Sequence, residues 1–419
     1  ELKATIKNGK IQAVLELQPW GQKLRITFLN QKGEVLLSEI ANGGALCLRA
    51  HDYRALKGGA YQLKVSFDSN PDEKIYGMGQ YQQERMNLKG CNLELAHRNS
   101  QASIPFYVST WLRLPVAQCS VGEVHFGTNT TEWLARTTKQ LDYWVTAGDT
   151  PAEIEEHFAD AIGKVPMMPE YGLGFWQCKL RYYNQEQVLN VAREYKKRGI
   201  PLDVFVIDYY HWPRCGDYRF DEEYFPDPKA MIDELHEMGI ETMVSIWPQI
   251  DWRSENYEEM KQQGLLVKSN AGVDVQMLFH GNNVFLDATN PRTRKYVWEK
   301  VKKNYADLGI RTFWLDEAEP EFSTYEYECY RYAAGRWKRS EIFIQESIPV
   351  CSTRARKRAA RRISSTSSAA HGSEARNTEP LCGPAIFSQP TRTSANRSAQ
   401  AFIWDFAAFR GGQPISAAL

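Results

Sequence analysis

Apolar runs that end on a carboxylate recur along the second half of this chain, and they restrict its fold more than any other feature. Leu202 to Asp208 and Thr312 to Asp316 are dominated by β-branched and aromatic residues. A strand apolar on both faces must be covered on both, as in a parallel sheet overlaid by helices. The intervening segments supply the helices. Asn184 to Arg198 stops at Gly199, Asp227 to Met238 stops at Gly239, and Asn290 to Leu308, with Pro291 near its start, stops at Gly309. Polar caps open these stretches and glycines close them, as helix ends require. Tyr171 to Trp176 and Glu241 to Trp247 read as further strands. Each polar candidate sits where a strand gives way to a loop: Gln177, Asp208, Trp247 and Asp316. In a (β/α)8 barrel that edge carries the active site. About four of eight βα units are legible, so the pattern alone leaves a doubly wound sheet open.

The first part of the chain has another rhythm. From about residue 2 to 150 short alternating segments, such as Leu24 to Phe28, Tyr61 to Val65 and Glu123 to Phe126, are separated by Gly and Asn turns. This pattern predicts a β-sandwich. A helix is expected over Thr150 to Lys164, ended by Gly163.

Phe313-Trp314-Leu315 rises into Asp316, Glu317, Glu319 and Glu321, four acids within six residues. Carboxylates are costly to bury without partners, so such a cluster implies either an acidic, solvated helix start or a cleft that uses them. Two strand-end carboxylates, Asp208 and Asp316, with Trp176, Trp212, Trp247 and Trp314 nearby, suit a neutral polyol. Acids accept from sugar hydroxyls, and indole faces cover the C–H surface of the ring. No His/Ser or Cys/His arrangement and no phosphate-cradling glycine motif competes. His97 and His211 read as polar contacts or packing histidines. Cysteines 47, 91, 119, 178, 215, 329, 351 and 382 are scattered, which predicts packed thiols and no zinc site. No apolar run has membrane-spanning length, and no signal peptide opens the chain, so a cytoplasmic location is the default expectation. Asn129-Thr130-Thr131 fits a glycosylation triplet of a kind common by chance.

Several stretches, in this order, carry a family resemblance: Tyr76-Gly77-Met78-Gly79-Gln80, Ile104-Pro105-Phe106-Tyr107, Gly174-Phe175-Trp176-Gln177, Val206-Ile207-Asp208-Tyr209, Phe225-Pro226-Asp227-Pro228, and Phe313 to Pro320. From about Glu73 to Gly335 the chain resembles glycoside hydrolase family 31, and within it most closely the α-xylosidases. The resemblance implies an α/β plus all-β protein. An N-terminal β-sandwich (1–165) would precede the first half of a (β/α)8 barrel (166–335), with an insertion at about 250–280. It also implies retaining, exo-acting cleavage of terminal α-linked sugars without metal or cofactor. Asp316 matches the family's catalytic nucleophile, Glu319 the acid that supports it, and Asp208 the aspartate that binds hydroxyls of the −1 sugar. Trp247 and Trp314 match walls of that subsite, and Trp176 belongs to a substrate-contacting stretch. The family's acid/base lies on a later strand in a Trp-Ser-Gly-Asp-like motif, which this chain lacks. Glu317 and Glu321 stand beside the nucleophile and do not reach across a sugar. α-Glucosidase activity is the alternative within the family, because the two differ in room for one exocyclic CH2OH.

After Gly335 the periodicity disappears. Residues 336–419 hold 13 Lys and Arg against 5 Asp and Glu, whereas the preceding residues hold 38 against 46. At face value this is a disordered, basic tail, yet it lacks the aromatic interleaving expected of a nucleic-acid binder. Codon degeneracy suggests a different origin. Joining the third base of each codon to the first two of the next permits Trp-Ser-Gly-Asp across Cys382 to Ile386. Across Ile403 to Leu419 it permits Met-Gly-Leu-Cys-Gly-Ile-Pro-Trp-Trp-Thr-Thr-Asp-Ile-Gly-Gly-Phe. Both resemble what the family carries after its nucleophile strand. Residues 336–419 are therefore expected to be an out-of-frame reading of the second half of the barrel, and the chain to be inactive as it stands. An α-xyloside or α-glucoside oligosaccharide is the expected partner, with neither nucleic acid nor membrane; a non-catalytic sugar-binding fragment is the other class of reading.

Overall fold

The computed structural model describes residues 3–18, 23–46, 48–56, 60–96, 102–110, 115–117, 122–138, 140–141, 143–162, 167–269, 272, 274–278, 281–317, 330–333, 335–336 and 382–383. The chain divides into two compact units, with the boundary between 164 and 165.

The first unit is rich in antiparallel sheet. Lys3–Asn8, Ile11–Gln18, Lys23–Asn30 and Val35–Ser38 form a meander of four strands. A second sheet has the order His51–Leu56, Ala60–Asp68, Thr130–Thr138, Gly122–Phe126 and Asn92–Leu95. Thr130–Thr138 alternates strictly between buried and half-buried residues, so one face enters a core containing Leu37, Phe67, Val124, Phe126 and Trp133. The Tyr76 to Gln80 motif has a structural explanation. Its strand pairs with Ala102–Ser109, which contains the Ile104 to Tyr107 motif. Gly79 has φ of 89°, and a Cβ there would collide with the Ala102 carbonyl oxygen, so only glycine permits this approach.

Among the described residues the second unit holds five parallel strands in spatial order Trp176–Lys179, Val204–Ile207, Glu241–Ile246, Thr312–Leu315 and Cys382–Gly383. Three helices cross between the first four: Gln185–Lys197, Pro228–Glu237 and Pro291–Asn304. Their starts are capped as the sequence predicts. The side chains of Asn184, Asp227 and Asn290 accept from the amides of Gln187, Ala230 and Arg292. Phe205, Ile207, Val244, Ile246 and Phe313 pack with these helices in one large core, whereas Val204, Val206, Met243 and Trp314 form a separate cluster on the opposite face. Between the third and fourth strands lies an excursion in which Gln249–Asp251, Asn282–Phe285 and Gln276–Leu278 make a small antiparallel sheet. Among the described residues no helix is long and apolar enough to cross a membrane.

Two local expectations are corrected. Tyr171 to Trp176 is not a strand: Glu170–Leu173 is a 3-10 turn, and the first strand begins only at Trp176. Gly172 and Gly174 weaken any extended pairing there, and the Asp203 carboxylate holds the chain instead by accepting from the Phe175 amide. The third helix ends at Asn304, short of Leu308. Tyr305 leaves helical geometry at φ −134° and ψ −55°, and its ring is fully buried.

Candidate active site

Strand alternation decides which side chains can meet. Starting from Val204 and Trp314, both on the face away from the helices, a period of two places Trp176, Cys178, Asp208, Ser245, Trp247 and Asp316 on that same face. The parallel register brings their C-terminal ends level: Cys178 opposite Val206, Ile207 opposite Val244, Ile246 opposite Leu315. Asp208 and Asp316 thus stand at the ends of the second and fourth strands, with the third between them, about 10 Å apart across the sheet by ordinary strand spacing.

The Asp316 amide donates to the Ile246 carbonyl at 3.1 Å, so sheet pairing continues up to this residue. Glu317, immediately after it, has φ of 55°, a left-handed conformation unusual for a side chain of this size. The chain turns away there, and Gln249 Nε2 donates to Glu317 Oε2 at 3.4 Å. Asp316 is therefore anchored by its backbone on a rigid strand end and is only half-buried itself.

Asp208 is buried more deeply, at 8% exposure. Its Oδ1 accepts from the Tyr209 amide at 2.7 Å. Burial pushes the carboxyl up to about 6, and that one amide offsets the shift only in part. Cys178 senses the same charge: although the residue is exposed at the surface, partial desolvation and the Asp208 charge raise its thiol above the usual value. Behind the strand end, His211 Nδ1 meets the Asp208 carbonyl at 2.9 Å, and its Nε2 meets the Tyr305 hydroxyl at 3.0 Å. Burial lowers this imidazole to about 4 and keeps it neutral, so His211 is a packing and hydrogen-bonding residue, in line with the sequence reading.

The tryptophans differ. Trp247 is fixed from two sides, stacking on Tyr209 at 5.0 Å with its edge region meeting Trp212 at 5.7 Å, and its Nε1 donates to Ser245 Oγ at 3.1 Å. Trp314 is buried among Val204, Val206, Met243, Tyr171 and Trp176, and its Nε1 has no partner among the described residues. A buried unpaired N–H is costly, and an incoming hydroxyl could relieve it. Gln177 corrects the sequence reading: it faces the helices, where its amide links Tyr182 and Tyr195 hydroxyls at 2.9 and 2.7 Å. The strand begins at Trp176, so its neighbour must point the other way. Glu319, Glu321 and His97 lie outside the described residues.

Sequence reasoning passed over Tyr210, Arg181 and Tyr183. The Arg181 guanidinium lies over the rings of Tyr183 and Tyr210 at 4.7 and 4.6 Å. The aromatic doublet after Asp208 was the available signal. A cavity of about 60 Å3 lies on the helix side among Ile246, Val297, Trp298, Phe313 and Leu315 and reaches Trp247. It is almost wholly apolar and has no carboxylate in its lining, so it does not suit a sugar. No cluster of His, Cys, Asp or Glu among the described residues is arranged to hold a metal.

Parallel strands joined by crossover helices, with carboxylates at the C-terminal strand ends, are the arrangement of one side of a (β/α)8 barrel. Residues 165–417 match the model of the glycosyl hydrolases family 31 TIM-barrel domain, and the chain belongs to that family. An uncharacterized family 31 glucosidase, ORF2, of Pseudescherichia vulneris is 48% identical over 349 residues, which span 79% of this chain and 65% of that protein. Alpha-xylosidase A of Aspergillus niger is 32% identical, over 75% of this chain and 44% of that protein. The crystal structure of a family 31 α-xylosidase from a soil metagenome, complexed with xylose, superposes with a TM-score of 0.80 at 48% identity, covering 86% of this chain and 55% of the other. The chain therefore spans roughly half to two thirds of the length of these relatives.

Proposed function

We propose that this chain carries the nucleophile half of a retaining, exo-acting α-glycosidase that removes terminal α-xylosyl residues. The observation that carries this reading is the placement of Asp208 and Asp316 on one face, at the ends of the second and fourth strands, with Trp247 at the end of the third strand between them. Asp316 would attack the anomeric carbon, expel the leaving group and form a covalent glycosyl-enzyme, which water then hydrolyses. Asp208 would accept from hydroxyls of the bound sugar, with Trp176, Trp247 and Trp314 against its C–H faces and Glu319 supporting the nucleophile. The likeness to xylosidases favours xylosides over glucosides.

A retaining enzyme also needs a second carboxyl about 5–5.5 Å from the first, to protonate the leaving oxygen and then activate water. Nothing in the frame as written matches the family's motif for it. Two readings of residues 336–419 part here. The family match extends to 417, and Cys382–Gly383 pairs in parallel with Phe313 and Trp314, which an in-frame tail would explain. The sixteen-residue run recovered by shifting the codons, with the basic composition of the tail, favours an out-of-frame second half. In that case the 419-residue chain binds sugar and does not turn it over. Sequencing the gene through codons 335–336 separates the two; a continuous frame reading Arg336 onward would refute the shift. Turnover of p-nitrophenyl α-xyloside against the α-glucoside, in a frame-restored protein, tests the specificity. Faster glucoside hydrolysis would make it an α-glucosidase.

A further inference from the structure

Arg181 follows the first strand and is half-buried, its guanidinium lying over the rings of both Tyr183 and Tyr210. The row of rings continues inward. Tyr210 lies 4.1 Å from Tyr209, and Tyr209 stacks on Trp247 at 5.0 Å. An unbroken series of π-faces thus joins the sugar pocket to a cation at its rim. Cation–π contacts engage the charge of a guanidinium without using its N–H groups as carboxylate donors. Arg193, Arg198, Arg219, Arg253 and Arg311 of the same unit each engage a carboxylate. Arg181 engages none among the described residues. Lys179, on the same strand end and 6.0 Å from the Tyr182 ring, adds a second cation that meets no carboxylate among the described residues.

Among the described residues Arg214 and Arg292 likewise meet no carboxylate, but both are exposed; Arg181 is half-buried over two rings that lead through Tyr209 to Trp247, which places its charge where a ligand held at Trp247 would extend. Asp208 and Asp316 make the floor of the pocket acidic and would repel an anion that lacked a fixed counter-charge. We propose that Arg181 selects a leaving group bearing a carboxylate, such as a uronic acid or a carboxylated aglycone, which it receives through its planar fork of donors. This rests on the reading of Asp208 and Asp316 as the sugar pocket, and the test keeps the two apart.

Binding of 4-carboxyphenyl α-D-xyloside and of its neutral isostere, 4-carbamoylphenyl α-D-xyloside, to the full 419-residue chain is measured by isothermal titration calorimetry. The carboxylate is expected to bind about tenfold more tightly, equivalent to about 1.4 kcal/mol, and to lose part of that advantage as salt is added. Arg181→Met is expected to bring the two ligands to equal affinity, and Arg181→Lys to retain part of the difference. Equal affinity for wild type, with binding of both ligands lost in Asp208→Asn, would overturn the proposal and leave the pocket standing. A carboxylate preference that survives Arg181→Met overturns it as well. If neither ligand binds the wild-type chain, the pocket reading fails and the proposal falls with it.

Discussion

The same parallel strands present two faces with opposite duties. On the helix side Phe205, Ile207, Val244 and Phe313 are sealed from solvent. On the other side Val204 and Met243 are equally sealed near the strand starts, but the C-terminal ends carry Asp208, Ser245, Trp247 and Asp316. One face is given to packing, and the other carries the candidate site residues at one end only. Because alternation has a period of two, one register fixes both; a slip by a single residue would bury the carboxylates against helices and expose the core.

This contrast can be broken most forcefully at Asp316. In a frame-restored protein Asp316→Asn is expected to abolish turnover of an α-xyloside by several orders of magnitude while leaving the urea midpoint in place; steady-state kinetics beside equilibrium unfolding would show both. The reverse holds on the opposite face. Phe205→Ala removes a fully buried ring that packs 4.8 Å from Tyr182, and should cost about 3–5 kcal/mol in urea unfolding of this unit.

A third test uses the two perturbed groups at the end of the second strand. Asp208 is raised from 3.8 to about 6, so its folded form holds a proton more tightly than the unfolded chain, and stability falls as pH rises through that window. His211 is lowered from 6.5 to about 4, so stability falls as pH drops through nearly the same window. Each is of order 3 kcal/mol, and together they nearly cancel. Asp208→Asn should expose a loss of stability on acidification from pH 6.5 to 4, and His211→Asn a loss on alkalinisation from 4 to 6. Parallel slopes in the two variants would show that these residues do not titrate as described. The smallest effect is expected at the helix start. Asp227→Ala removes the side-chain cap of Pro228–Glu237 and should cost about 1 kcal/mol, with xylose affinity unchanged by calorimetry.

Much of this was legible in the chain. Asp208 and Asp316 could be found because each ends an apolar run, and local pattern is all that placement requires. The helix starts at Asn184, Asp227 and Asn290 were legible for the same reason: capping is a local property. Gln177 was misread because the strand's first residue, and with it the phase of the alternation, depends on how Asp203 holds Phe175, a contact from the next strand. The early end of the third helix was hidden because Tyr305 is drawn toward His211, nearly a hundred residues before it. Contact of Arg181 with the rings of Tyr183 and Tyr210 joins two different loops, and no window along the sequence contains both. The placement of candidate residues on strand ends could be read; contacts assembled from loops of separate strands could not.

The central claim is that the Asp316 carboxylate forms the bond to the sugar. A mechanism-based fluorinated α-xylosyl fluoride, applied to the frame-restored protein and followed by peptide mapping, tests it directly. The label is expected on Asp316 and absent from the Asp316→Asn variant. Label on Asp208, Glu317 or any other carboxylate would contradict the account.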